Sequence, residues 1–293
     1  MLKHAVTRFR THVVTCLLAL SVLPAIAAET APLKVLLITG GCCHDYKKQK
    51  DILKTGLEAR ANLVVEQIHV DSGSTAPPLP IYGNPDYAKG FDVVIHDECS
   101  ADIKDPAVIK GVLQPHADGV PGVNLHCAMH SYRFGNYGKP VEAGADNSLW
   151  FEYVGLQSTG HGPQEPVSIT FVDKMHPISL GMADWTTIKE ELYNNISILG
   201  GHPLARGKQS IPQKSKDKDG KESITGTKDV ETVVAWTNEY GAKKTRVFST
   251  SIGHNNATVE DPRYLDLVTR GVLWATRHLN DDGTPAAGYG KKK

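Results

Sequence analysis

Residues 33–39 read LKVLLIT and run directly into Gly40-Gly41. Seven residues is strand length, and a run apolar on both faces suits a strand buried centrally in a parallel sheet. The glycines close it. Downstream, residues 47–61 carry Ile52, Leu53 and Leu57 at helical spacing among lysines, and residues 63–70 alternate as a second strand, so the opening predicts β-α-β.

The same rhythm continues beyond a loop. Residues 71–90 contain SGSTAPPLPIYGNP, which excludes a regular helix or central strand. Residues 91–96 (FDVVIH) predict a third strand, 106–113 a helix, and 121–125 a fourth strand. Strands separated by helices predict an α/β fold with a doubly wound, mostly parallel sheet. From 141 the chain turns loop-rich, with an alternating strand at 167–172 and a further ordered patch at 191–199. Residues 205–229 hold six lysines and almost nothing apolar, which predicts a solvated hairpin or flexible loop. Strands at 232–236 and 246–252 and a helix over 262–279 complete a single domain spanning 33–279. The Gly/Pro/Lys tail, 280–293, is expected to be disordered. No internal repeat is visible.

Composition is that of an ordinary globular chain, 40% hydrophobic and 22% charged, which excludes wholesale disorder and a fibrous rod. The first 27 residues have the pattern of an export signal. Lys3, Arg8 and Arg10 precede an apolar stretch over 13–26, and Ala25-Ile26-Ala27 offers a cleavage site. The apolar stretch is shorter than the roughly 20 residues that span a bilayer. A soluble periplasmic or secreted product is expected, with no membrane partner after cleavage. Removing the segment takes three positive charges and no acid, turning a net charge of zero into −3, so no nucleic-acid partner is expected. Cys42, Cys43, Cys99 and Cys127 remain. Their number permits a disulfide without specifying one, and there is no CxxC pair or zinc-finger spacing.

Ligands of open α/β sheets bind beyond the carboxyl ends of the strands. Those positions hold Gly41-Cys42-Cys43-His44-Asp45, Asp97-Glu98-Cys99, His126-Cys127-Ala128-Met129-His130 and Gly253-His254-Asn255-Asn256. Three strand ends each deliver a histidine, the side chain that exchanges protons near neutral pH and ligates zinc through a neutral nitrogen. His44, His126 and His254 are therefore the candidate acid/base groups. Gly41 is a candidate for close backbone approach to a ligand, and Asn255 for substrate contact. GGCCH is neither a dinucleotide fingerprint nor a P-loop, which argues against a nucleotide site. His126 and His130 are one helical turn apart, but no glutamate sits between them as in HExxH.

These strand ends resemble the ThuA-like family, whose fold resembles class I glutamine amidotransferases and, more broadly, the flavodoxin-like three-layer sandwich. The resemblance rests on VLLITGGCCHDY, GVNLHCAMHSYR, HGPQEPVSITFVDKMHPISLGM, EELY, VVAWTNEYG and RVFSTSIGHNNATVEDPRYLDLVTRGVLWA, in that order. It implies a site built from His44, His126, His161, Glu191, Tyr193 and His254, with Glu191 as supporting carboxylate and His161 and Tyr193 as substrate contacts. It also implies a small-molecule carbohydrate as partner, a glycoside, disaccharide or oxidised keto-sugar, and a divalent metal such as zinc in some members.

In amidotransferases the fourth strand leads to a cysteine nucleophile. Here His126 takes that corner and Cys127 falls one residue late, which points to Cys127 as packing. The lysine-rich segment and Cys42-Cys43 depart from the family pattern. Direct proton chemistry by the histidines is the expectation, with no cofactor assigned. If a metal is bound, His44, His126 and His254 are its ligands. A non-catalytic carbohydrate-binding protein and a thiol hydrolase using Cys127 are the alternatives.

Overall fold

A computed structural model of the chain describes residues 1–4, 30–216, 218, 220 and 222–291. The expected export signal lies outside the described residues except for its first four positions. Strand β1 (Leu33–Gly41) is buried at every position but Lys34. It pairs in parallel with β2 (Leu63–Val70) on one side and β3 (Val93–Cys99) on the other. β4 (Gly122–Leu125) and β9 (Thr245–Thr250) continue the parallel run.

Alternation along β1 feeds two cores. Val35 and Leu37 meet Leu53 and Leu57 of α1 (Tyr46–Glu58) and Val268 and Val272 of α5 (Pro262–Ala275). Leu36 and Ile38 meet Ile109 and Val112 of α2 (Pro106–Ala117) and Trp150 and Tyr153 of α3 (Leu149–Val154) on the other face. Each such buried aliphatic side chain contributes about 1.5–3 kcal/mol relative to exposure. Helix α5 starts where the sequence places proline, with the Asp261 carboxylate accepting from the Arg263 N–H at 2.9 Å.

The expectation of a mostly parallel sheet holds only in part. The nine strands run β2-β1-β3-β4-β9-β8-β7-β5-β6, and beyond β9 every pairing is antiparallel. The molecule is a mixed α/β protein whose sheet changes character halfway. The second half comprises β5 (Leu156–Phe171), β6 (Trp185–Ile198), β7 (His202–Lys216) and β8 (Glu222–Tyr240). These strands are linked without crossover helices, which antiparallel neighbours do not need. β5 starts well before the expected strand at 167–172. Gly160, Gly162 and Pro163 read as loop residues, but the strand absorbs them as register shifts between Gln157 and Ser168. The described residues of the lysine-rich segment lie in the paired strands β7 and β8, with Lys208 paired to Asp229 at 2.6 Å.

Disorder does not extend through the tail. Residues 280–291 fold back across the start of β1. Asn62 donates from its backbone to the Tyr289 carbonyl and from its side chain to the Gly288 carbonyl, and Tyr289 packs on His278 with ring centroids 3.8 Å apart. Gly283 and Gly288, both at positive φ, supply the turns that let a polar segment bend onto the body.

Candidate functional site

The loop after β1 approaches β3 very closely. Gly41 has φ 99°, and a Cβ there would overlap the carbonyl of Cys99, so the glycine is required by the chain's own backbone. The loop then turns through Cys43, at φ 84°, and delivers His44 above the sheet edge. β4 ends at His126, held at φ 38° at the head of a 3-10 turn (His126–His130), an uncommon conformation for a side-chain-bearing residue at a strand corner. β9 ends near Gly253, and His254 follows before the short helix α4 (Asn256–Val259). The three imidazoles converge. Ring centroids lie 4.6 Å apart for His44 and His126, 4.7 Å for His44 and His254, and 5.6 Å for His126 and His254.

Glu191 reaches the same point from β6, in the antiparallel half. Its carboxylate lies 3.3 Å from His254 Nδ1, 3.6 Å from His126 Nε2 and 3.6 Å from His161 Nδ1. His44 Nε2 is 3.0 Å from His254 Nδ1, and His44 Nδ1 is 3.1 Å from the Tyr46 hydroxyl. His126 donates from Nδ1 to the Ser251 carbonyl at 2.8 Å, while its buried Nε2 has no hydrogen-bond partner. An accepting nitrogen without a donor, facing two imidazoles and a carboxylate, is a costly arrangement for a purely structural residue.

Electrostatics follow from this crowding. Burial, and then the His126 and His254 charges, push His44 down to about 2, so it is neutral at physiological pH. Burial alone would push Glu191 up, but the neighbouring His126 and His254 imidazoles outweigh it and hold the carboxyl well below its ordinary range. The hydrogen bond to Glu191 raises His254.

Four donor groups, from His44, His126, Glu191 and His254, have ligand atoms within 4.8 Å of one another. Zinc–nitrogen and zinc–oxygen bonds of about 2.0–2.1 Å in a tetrahedron put neighbouring ligand atoms about 3.3 Å apart. Three of the six separations, at 3.0, 3.3 and 3.6 Å, bracket that value, and all six lie within 4.8 Å. The donor set and the unpartnered His126 Nε2 fit a divalent cation.

The remaining expected residues take other places. His161 stands at the open side, its side chain 45% exposed. Tyr193 is buried, its ring stacked flat on His130 at 4.0 Å and 4.7 Å from His126, so it packs the imidazoles from behind. Asn255 binds its own framework, donating from Nδ2 to the Lys189 carbonyl at 2.6 Å. Cys127 is buried beneath the loop with Cys99 and Tyr46, and its hydrogen bond with Cys99, together with burial, pushes its thiol up.

Sequence reasoning missed several supports. The fully buried Glu190 carboxylate accepts from the backbone N–H of His254 at 3.0 Å and of Asn255 at 3.1 Å. Gln49 donates to the carbonyls of Gly253 and His254, and the Gln164 amide lies 2.8 Å from His254 Nε2. The adjacent acids Glu190-Glu191 in an otherwise alternating stretch were the available signal.

Residues 34–275 match the model of the ThuA family, described as trehalose utilisation. The chain belongs to the ThuA family. Its structure is similar to that of a ThuA-like protein from Parabacteroides merdae, with a TM-score of 0.58 and 19% identity over 89% of this chain and 98% of that one. A carbohydrate deacetylase, Agd3, aligns with a TM-score of 0.46 and 13% identity over 85% of this chain and 33% of its own. A glutamine amidotransferase from Thermotoga maritima aligns with a TM-score of 0.39 and 10% identity over 85% and 98%. No curated protein matches the sequence. Among this ThuA chain's described residues, no helix is long and apolar enough to cross a membrane.

Proposed function

We propose that this ThuA-family chain is an exported enzyme that processes a glycoside or disaccharide, or its oxidised keto form, at a divalent-metal centre held by His44, His126, His254 and Glu191. The observation that carries the metal assignment is the buried, unpartnered His126 Nε2 within 4.8 Å of the other three donors. It revises the sequence-based preference for histidines acting without a metal. Nitrogen and carboxylate donors suit zinc. A cation held there supplies Lewis acidity, polarising a carbonyl or hydroxyl oxygen of the sugar.

The chain's own groups do the rest. The Ser251 carbonyl fixes the His126 tautomer, and the Tyr46 hydroxyl orients His44 from its far nitrogen. His161, open to solvent and 3.6 Å from Glu191, is the imidazole placed to give or take a substrate proton. A cavity of about 520 Å³ beside His44 and His254 is lined by Asp45, Asn255 and Asn256, polar groups suited to sugar hydroxyls, and its size is that of ordinary small-molecule sites. Export rests on the basic and apolar pattern of residues 1–27.

Elemental analysis of the purified protein tests the assignment, together with a screen of disaccharides and their keto derivatives before and after chelation. One equivalent of zinc, absent from His126→Ala and, in the unaltered protein, removed together with activity by chelation and restored with it on re-addition, is the expected result. A metal-free protein that turns over a sugar unaffected by chelators would overturn it.

A further inference from the structure

Four cysteines converge beneath the β1 loop. Cys42 and Cys43 are joined by a disulfide, and Cys43 is exposed. Cys99, at the end of β3, is a free, buried thiol whose sulfur lies 3.7 Å from Cys42 Sγ. Cys127 is the second free, buried thiol and packs with Cys99 and Tyr46. A third sulfur in contact with a disulfide is the arrangement that thiol–disulfide exchange requires.

The close approach of β1 and β3 brings an alternative bridge within reach. Gly41 sits opposite Cys99 in the parallel register, at an approach that leaves no room for a Cβ. Cys42 is one residue further on. Its sulfur, 3.7 Å from that of Cys99, lies on the side of the loop that faces β3. Ordinary disulfides span about 4.4–6.8 Å between Cα atoms. The adjacent pair spans 3.8 Å.

We propose that Cys42, Cys43 and Cys99 form an internal thiol–disulfide exchange site that presents Cys43 as a free thiol at the mouth of the histidine centre. Cys99 Sγ, after releasing its proton to solvent, attacks Cys42 Sγ. The Cys42–Cys99 bond forms as the Cys42–Cys43 bond breaks, and Cys43 leaves with the electron pair and takes a proton from solvent. One disulfide and one thiol are present before and after, so no oxidant or reductant is consumed. The released Cys43 thiol is open to soft electrophiles such as alkyl halides, or to small disulfides that would cap it. This exchange uses sulfur geometry alone and stands whether or not a cation is bound next door.

The test is alkylation of the native, unreduced protein with iodoacetamide, followed by non-reducing peptide mapping. Trapping should accumulate protein with carbamidomethyl-Cys43 and a Cys42–Cys99 crosslink between the tryptic peptides 35–47 and 90–104. In Cys99→Ser both products should vanish, while Cys127→Ser should keep them. If Cys99→Ser fails to fold, the wild-type crosslink decides alone. A wild-type protein that retains only the Cys42–Cys43 bond, with Cys43 unlabelled after prolonged exposure, would overturn the proposal. So would Cys43 labelling of equal extent in wild type and Cys99→Ser.

Discussion

Replacing Glu190 by glutamine probes how the site is held without touching any candidate ligand. The Glu190 carboxylate is completely buried and accepts two backbone hydrogen bonds, from His254 and Asn255, one on each oxygen. Hydrogen bonds to a charged group are worth about 1.5–3 kcal/mol each. A glutamine at this position accepts only one of them and turns its NH2 towards the other N–H. The expected loss is therefore roughly 1.5–3 kcal/mol of unfolding free energy, which at about 2–4 °C per kcal/mol lowers the thermal midpoint by roughly 3–12 °C. His254 is also freed to move, and loss of a support behind a metal ligand costs about 10–100-fold in affinity. Differential scanning calorimetry and zinc titration, with the exposed Glu66→Gln as control, measure both quantities. An unchanged midpoint together with unchanged zinc affinity would show that Glu190 does not position His254.

Acid should weaken both the centre and the fold. Because the Glu191 hydrogen bond raises His254, protons compete for that imidazole from above its ordinary value of 6.5, and zinc occupancy measured by equilibrium dialysis should fall as pH drops through that value. His116, fully buried beside His96, is pushed down to about 3 by burial first and by the His96 charge second. The unfolded chain therefore binds the extra proton between pH 6.5 and 3. The contribution is fully present above 6.5 and lost on acidification, costing on the order of 2 kcal/mol by pH 5 in urea titrations, with a shallower slope in His116→Gln. Gly41→Ala should disrupt the loop, because its Cβ has no space against Cys99 and φ 99° disfavours any side chain; reduced solubility or a clearly lower melting temperature would register this. Ending the chain at Leu279 should destabilise it measurably in calorimetry, since Asn62 then loses its Gly288 and Tyr289 partners.

The parallel half of the sheet was legible because its signals are local. LKVLLIT carries its buried strand in seven letters, and each flanking helix announces itself by spacing. His44, His126 and His254 were legible for the same reason, as each follows such a strand directly. The antiparallel half was less so. β5 passes through Gly160, Gly162 and Pro163, residues that signal loops, and only pairing with β6 keeps the segment extended. Glu190 and Gln164 act through contacts with a histidine more than sixty residues away along the chain, and no local pattern encodes that. The order of the tail was not legible because its composition is that of a linker, while its anchoring depends on Asn62.

The join between the two halves of the sheet bears on how the protein is made. His44 and His126 belong to segments that emerge early in synthesis, whereas Glu191 and His254 follow later, and the span from His44 to His254 is 210 residues. A nascent chain thus has no complete set of donors until His254, just ahead of the last helix, has been made, and contacts this distant close late in folding because the chain entropy must be overcome first. An ion that binds only the finished arrangement cannot serve as a nucleus. Held at the proposed centre, it would act on the return journey, lengthening the lifetime of the native state by slowing unfolding while leaving the rate of folding almost untouched.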